Sequence, residues 1–454
     1  NVGFITAKSI AGDIDARNMV VAGVGTFISD TSFNSITVGK GANSVAGNTV
    51  VGELALDAVT TGGNNVAIGL QALTANTSGD GHVAVGRYSL RANTTGVNNT
   101  AIGFNALKTS TTASNNTAVG NEALAANTTG TLNTAVGYAA LDNNTTGDSN
   151  TAMGTNALGV NSTGDENTAF GKSALSDSTT AIQNTAIGAL TADAITTGSY
   201  NTAVGYNAMS AATTGTFNMA FGNQAMGGGI VTGTRNTACG NSALYDLTTG
   251  SDNVGVGYDS LVNLTTGTNN TALGADTLKT LTTGSHNVAI GLNALETTND
   301  SNNVAIGVDC GRLNSTGTHN TFMGRNAAEN NSTGSYNTAV GSQALIANTT
   351  GSYNTAYGYG ALDANTTASE NSAFGYNAAG KNTTGNYNTA LGRESLSENT
   401  TGVNNTAVGN HALSNSNGDS NTAVGSYTGD AITTGDHNTF IGQAAGGAVT
   451  TSSQ

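Results

Sequence analysis

Residues 100–116 read TAIGFNALKTSTTASNN, and residues 117–133 read TAVGNEALAANTTGTLN. The second stretch follows the first directly and repeats it, with the same or similar residue types at most positions. Self-similarity at a fixed period is typical of repeat architectures, in which each copy forms one structural unit. The chain contains 24 such copies, which begin at Thr49, Val66, Val83, Thr100, Thr117, Thr134, Thr151, Thr168, Thr185, Thr202, Met219, Thr237, Val254, Thr271, Val288, Val304, Thr321, Thr338, Thr355, Ser372, Thr389, Thr406, Thr422 and Thr439.

The copies share the consensus T-A-V-G-x-x-A-L-x-x-N-T-T-G-x-x-N, whose positions we number as slots 1 to 17. Successive copies start one full consensus length apart, except for one step of 18 and two steps of 16. We expect turns near Gly228, Asn299 and Asn417 to absorb these changes in length, so that the stack of copies stays continuous.

A copy of this composition favours β-structure. Two glycines and a Thr-Thr pair leave no window of about ten residues for a helix, whereas NTAVG suits a short strand. A single copy cannot bury its apolar face and needs neighbours above and below. The sequence therefore predicts an all-β fold, a parallel β-solenoid or β-roll of about 24 coils over residues 49–454, preceded by a β lead-in segment at residues 1–48.

The slots that vary least indicate which residues are structural. Slot 3 is apolar in every copy and slot 8 is usually Leu, so we expect both to form the core. Slot 4 is always Gly, which predicts a positive φ or a close backbone approach. Slot 17 is Asn except at His82, and stacked amides can hydrogen bond from coil to coil. The predicted core residues are Ile68, Ile102, Val119, Val136, Leu107 and Leu124, and the predicted ladder residues are Asn65, Asn99, Asn116, Asn133 and Asn150.

Two or three bulky apolar side chains in each copy make a thin core. We therefore expect a further interface, most simply a homotrimer packed along its length. No capping sequence follows the last copy, although solenoids normally need one. We expect that the protein continues or that another part covers this end.

Composition excludes several functions. A net charge of −15 gives no basic surface for nucleic acid. No apolar run approaches the roughly 18 residues of a membrane span, so we expect no membrane insertion. The five histidines and two cysteines form no metal-binding motif, and we expect neither a metal nor a cofactor. Cys239 and Cys310 lie four copies apart, too far for a disulfide, and are expected to be small core residues.

Charged and aromatic residues concentrate at slots 5, 6, 9, 10, 15 and 16, which we expect to face solvent. Asp148 and Glu166 could come close enough on neighbouring coils to resemble the two carboxylates of a glycosidase. No inserted loop builds a cleft around them, so we expect no catalytic residues and no enzyme activity. Candidate surface contacts are Tyr200, Tyr336, Tyr353 and Tyr387.

The units NTAVG, NNVAIG and NSAFG resemble the SVAIG repeats of the YadA-like head in trimeric autotransporter adhesins, a left-handed parallel β-roll of three chains. Similar Asn-Thr-Gly-rich repeats are familiar from phage tail fibres and related virion proteins. The resemblance covers residues 49–454 and, loosely, residues 1–48. The period is longer than in the adhesin head, and no coiled-coil stalk is in view.

The resemblance implies a structural fibre or adhesin shaft of the tail-fibre type, located outside the cell or on a virion surface. Such a shaft presents a tip for host attachment, and its exposed Tyr and Asn residues would make weak multivalent contacts with cell-surface carbohydrate. Its partners would be copies of itself and that carbohydrate. The alternatives are a self-assembling extracellular filament subunit, a polysaccharide depolymerase tailspike, and ice binding on a Thr ladder, although the threonines are adjacent and lack T-x-T spacing.

Overall fold

A computed structural model of the protein describes residues 31–33 and 36–451. These residues form an all-β, parallel β-solenoid whose coils are about 17 residues long, which confirms the predicted fold class. Slots 1 to 3 of every copy form a short strand, and the other slots form the turns that close the coil. Residues 1–30 and 34–35, most of the predicted lead-in segment, lie outside the described residues.

The described residues contain 26 strands and one 3-10 turn, Ala42–Ser44. The strands are β1 Thr31–Phe33, β2 Ile36–Gly39, β3 Thr49–Val51, β4 Val66–Ile68, β5 Val83–Val85, β6 Thr100–Ile102, β7 Thr117–Val119, β8 Thr134–Val136, β9 Thr151–Met153, β10 Thr168–Phe170, β11 Thr185–Ile187, β12 Thr202–Val204, β13 Met219–Phe221, β14 Thr237–Cys239, β15 Val254–Val256, β16 Thr271–Leu273, β17 Val288–Ile290, β18 Val304–Ile306, β19 Thr321–Met323, β20 Thr338–Val340, β21 Thr355–Tyr357, β22 Ser372–Phe374, β23 Thr389–Leu391, β24 Thr406–Val408, β25 Thr422–Val424 and β26 Thr439–Ile441.

Each copy makes one coil. Strand β7 pairs in parallel with β8, and Thr117 lies opposite Thr134, one copy further on. The same slot-to-slot register continues from β3 to β26, so equivalent residues stack in columns along the rod. At the N-terminal end of the sheet, β2 pairs antiparallel with both β1 and β3.

The register survives the irregular steps because turns absorb them. In regular coils the slot 12 N–H donates to the slot 12 carbonyl of the next coil, as from Thr265 to Thr282 at 2.9 Å. The two shortened coils lack one residue at this turn, and an asparagine side chain replaces its carbonyl. The Oδ1 atom of Asn299 accepts from Thr282 N at 2.9 Å, and that of Asn417 accepts from Thr400 N at 2.9 Å.

The extra residue of the lengthened copy lies in its glycine turn at 227–229. The chain regains register at Val231, which is buried and whose carbonyl accepts from Thr213 N at 3.2 Å. All three length changes therefore fall in the turns where the sequence placed them.

The core consists mainly of Ala and Leu side chains. Slots 2 and 7, mostly Ala, and slot 8, mostly Leu, are buried along the rod, and Leu107 and Leu124 are 0% exposed. The expectation that slot 3 belongs to the core is wrong for this chain: Ile68 and Ile102 are 38% and 40% exposed. Two further predicted core residues, Val119 and Val136, are only partly buried.

The reversal follows from strand geometry. Successive side chains of a strand point to opposite faces, so an inward slot 2 forces slots 1 and 3 outward. The coil is narrow, and in most coils its interior accepts only a methyl group at slot 2. Slot 3 varies in size because it lies outside the coil.

Slot 4 is Gly for both of the predicted reasons. Gly120 has a φ of +143°, and a Cβ atom there would approach the carbonyl oxygen of Gly137 on the next coil to 2.3 Å. No other residue type fits this backbone.

Two coils carry Phe at slot 2, and the core compensates for both. Phe322 is fully buried, and slot 8 of the preceding copy is Gly311 in place of the usual Leu. A Cβ on Gly311 would lie 2.8 Å from the Phe322 ring. The same exchange recurs at Phe440 and Gly429. Slots 2 and 8 therefore share one volume inside the coil.

Candidate functional site

The slot 17 asparagines form a buried hydrogen-bonded column. Asn99 Oδ1 accepts from the main-chain N–H of Asn116 at 2.9 Å, and Asn116 Nδ2 donates to Gly130 O at 2.9 Å. The same pattern links Asn133 to Asn116 and Asn150 to Asn133. Asn65 belongs to the column too, and its Oδ1 accepts from the main chain of His82 at 2.9 Å. These side-chain amides therefore hydrogen bond to the main chain of neighbouring coils and hold the coils in register.

His82 fills one position of this column as a neutral ring. Its Nδ1 accepts from the main-chain N–H of Asn99 at 3.1 Å, so the proton lies on Nε2, which donates to Gly96 O at 2.7 Å. Burial lowers the pKa of His82 below its ordinary value. The ring therefore acts as a substitute for the asparagine amide.

Further buried asparagines lie at slot 11, in runs separated by copies with buried apolar residues such as Leu247, Leu264 and Leu281. Hydrogen bonding from coil to coil was not expected at this slot. Asn144 Nδ2 donates to Asn127 Oδ1 at 2.9 Å and to Gly147 O at 3.0 Å. A run stops where serine follows, and the Oδ1 atoms of Asn93, Asn161 and Asn399 then have no partner within the described chain. The recurring Asn of NTTG in the consensus could have predicted this second set of hydrogen bonds.

The slot 3 side chains form a continuous column on the outer face of the sheet, which we call the apolar stripe. They are apolar in all 24 copies, and neither slot 1 nor slot 3 carries a charge in any copy. Phe221 and Tyr357 are 57% and 55% exposed, and exposure reaches 74% at Ile441 in the last copy. With coils about 4.8 Å apart, the stripe is about 110 Å long.

The apolar stripe is larger than the surface patches of ordinary monomers. Its half-exposed side chains together leave an area on the order of 1,500 Å² in contact with water, whereas the largest patch on a typical monomer is about 300–600 Å². Patches of that size mark interaction sites. The stripe also exceeds the roughly 800 Å² that each partner contributes to a standard stable interface.

The cysteines differ in environment. Cys310 is buried at slot 7, and burial raises the pKa of its thiol to about 12. Cys239 occupies slot 3 and is exposed in the apolar stripe, so the expectation that it is a core residue is wrong. Both thiols are free.

The four candidate contact tyrosines share slot 16, and all are exposed. Tyr336 and Tyr353 stack with ring centroids 4.9 Å apart and planes 2° from parallel. Tyr200 lies far along the rod, where it stacks on Phe217 at 4.8 Å. Tyr387 lies two coils beyond Tyr353. The structure thus brings together two of the four.

Asp148 and Glu166 bond in opposite directions along the rod. Asp148 Oδ1 accepts from the N–H and hydroxyl of Thr131, on the preceding coil, at 2.6 and 3.0 Å. Glu166 Oε2 accepts from Gln183 Nε2, on the following coil, at 2.6 Å. Each carboxylate therefore stabilises a neighbouring coil, and the two do not face a common substrate position.

No family model matches the chain, and no curated protein matches its sequence. Across residues 31–33 and 36–451, no helix is long and apolar enough to cross a membrane. The same residues contain no group of three or more His, Cys, Asp and Glu side chains placed to hold a metal ion. Two surfaces are therefore candidates for binding: the apolar stripe and the column of slot 16 side chains.

Proposed function

We propose that the chain is the shaft of an extracellular or virion fibre, in which copies associate side by side through the apolar stripe. The observation that carries this proposal is the stripe itself, an uncharged apolar column to which every one of the 24 copies contributes a residue. Its burial would supply the hydrophobic stabilisation that the narrow Ala and Leu interior lacks.

A parallel homotrimer accommodates the stripe well. Around a three-fold axis along the rod, identical residues meet at each level, so Phe170 faces Phe170 and Val119 faces Val119. Changes in side-chain size along the stripe then occur in all three copies at once. An antiparallel pair would instead bring unrelated sizes together. The absence of charge from slots 1 and 3 matters here because identical charges would repel one another at every level.

The assembled shaft would act as a stiff spacer that holds a host-binding tip away from the particle or cell. Its other faces remain in solvent, and the slot 16 tyrosines on them are the proposed contacts with carbohydrate. Both roles, and the extracellular location, rest on the resemblance to adhesin heads and tail fibres.

Cys239 provides a direct test, since it is an exposed thiol in the stripe while Cys310 is buried. In a parallel assembly the Cys239 side chains of different copies meet at one level, so mild oxidation should yield a disulfide-linked dimer. The matched control carries Cys239→Ser with Thr249→Cys, which moves the thiol to an exposed position at slot 13. The control should not cross-link.

Light scattering gives the second readout. A single chain has a mass of 44.8 kDa, and the native particle should have three times that mass. Phe170→Asp, which places a charge in the stripe, should weaken association while the chain stays folded. Thr163→Asp, at an exposed slot 13 position, should leave both association and folding unchanged. A native particle of 44.8 kDa, or equal cross-linking of the control, contradicts the proposal.

A further inference from the structure

Three successive coils carry Tyr353, Glu370 and Tyr387 at slot 16. Their main-chain N–H groups donate to slot 15 carbonyls of the respective preceding coils at 3.0, 3.0 and 3.3 Å. The three residues therefore occupy successive levels of one column, with Glu370 at the level between the two tyrosines.

The spacing of the rings suits a bound group. Two coils separate Tyr353 from Tyr387, which corresponds to about 9.6 Å. A group midway between them lies about 4.8 Å from each ring, inside the roughly 6 Å reach of a cation–π interaction. Tyr353 already stacks on Tyr336 with one face, and its other face points toward the level of Glu370. An open cavity of about 370 Å³ adjoins Tyr353 and Glu370.

No ion pair from the described part of the chain neutralises the charge at this level. Glu370 is exposed and makes no ion pair within the described residues. Elsewhere in the same column, Arg235 Nε donates to Asp252 Oδ1 on the next coil at 2.6 Å. A slot 16 carboxylate can therefore take a cation from an adjacent coil, but at Glu370 both adjacent coils offer tyrosine instead.

We propose that Tyr353, Glu370 and Tyr387 form a binding site for a sugar that carries a free amino group. The apolar faces of the sugar ring would pack against the two tyrosine rings, and the ammonium group would pair with the Glu370 carboxylate. The site deepens the proposed carbohydrate contact at slot 16 and rests on that part of the function. It is independent of association through the apolar stripe.

The test compares two tetrasaccharides by calorimetric or NMR titration at about pH 6. One is a tetramer of glucosamine, and the other is the same tetramer fully N-acetylated, which is neutral. The glucosamine tetramer should bind in the millimolar range, and the acetylated tetramer at least about tenfold more weakly.

Variants locate the binding. Glu370→Gln should weaken glucosamine binding up to about fivefold, as expected for an exposed ion pair, and Tyr387→Leu should weaken it several-fold. The matched control is Glu166→Gln, at the same slot but between Ser149 and Gln183, and it should leave binding unchanged.

Each other outcome overturns the site in a different way. Equal binding of the two tetramers refutes recognition of the amino group and leaves a neutral carbohydrate contact. Equal loss in the Glu370 and Glu166 variants shows unspecific attraction to an acidic rod. No binding by either sugar refutes the carbohydrate contact, whereas the particle mass and Cys239 cross-linking report separately on the shaft.

Discussion

The shared volume of Phe322 and Gly311 gives a quantitative test of the core. Phe322→Ala restores the usual slot 2 residue but leaves a cavity opposite Gly311, because no Leu fills the space. Removal of a buried Phe costs about 3–5 kcal/mol. Gly311→Leu restores the usual slot 8 residue but forces its side chain against the Phe322 ring, where a Cβ would already lie 2.8 Å away. Overpacking of this kind costs about 1–3 kcal/mol.

The double variant should recover most of both losses. It recreates the Ala and Leu pair found in most coils, and Leu already adopts a φ near that of Gly311, +50° at Leu107 against +58°. We expect it to be within about 1.5 kcal/mol of the native chain, whereas simple addition of the single losses predicts about 4–8 kcal/mol.

Hydrogen exchange measures these values locally, which suits a solenoid because each coil contacts only its neighbours. Peptides covering residues 305–340 should exchange faster in each single variant and recover in the double variant. Peptides from residues 117–150 serve as the internal control. Losses that add in the double variant would refute the shared volume.

Two further predictions concern polar substitutes within the coil. Above the ordinary histidine pKa of about 6.5, His82 is neutral in both the folded and the unfolded chain. Because the pKa of His82 is lowered in the folded chain, protons bind the unfolded chain more readily. The free energy of unfolding, measured with urea, should therefore fall as the pH drops below that ordinary value. His82→Asn should remove this dependence, and an unchanged pH profile would contradict the assignment. Asn417→Ala should cost about 1–2 kcal/mol by removing the acceptor for Thr400 N, while Asn417→Asp keeps an oxygen there. Thermal melting that ranks the aspartate variant no better than alanine would show that the oxygen is not needed.

The sequence by itself determined the architecture. Its nearly constant period predicted one coil per copy, and the strand register agrees, because each slot pairs with its equivalent in the next copy. The invariant Gly at slot 4 predicted a positive φ or a close backbone approach, and the Asn at slot 17 predicted a hydrogen-bonded column. The alignment of Tyr353, Glu370 and Tyr387 also follows from their spacing alone. These features depend on backbone register, which repeats transmit directly.

The tertiary structure decided which face of the strand is inside. Alternation places slots 2 and 3 on opposite faces but does not say which one is buried, and hydrophobicity alone favoured the larger residues of slot 3. The width of the coil decides which face is buried, because in most coils its interior has room only for Ala at slot 2. A residue as large as Phe fits there only where a neighbouring slot 8 residue is small, as Gly311 is beside Phe322. It likewise took the folded turn to show that the side chain of Asn417 replaces a missing carbonyl. Volume and hydrogen-bond geometry inside the coil are properties of several neighbouring copies together, so no single copy encodes them.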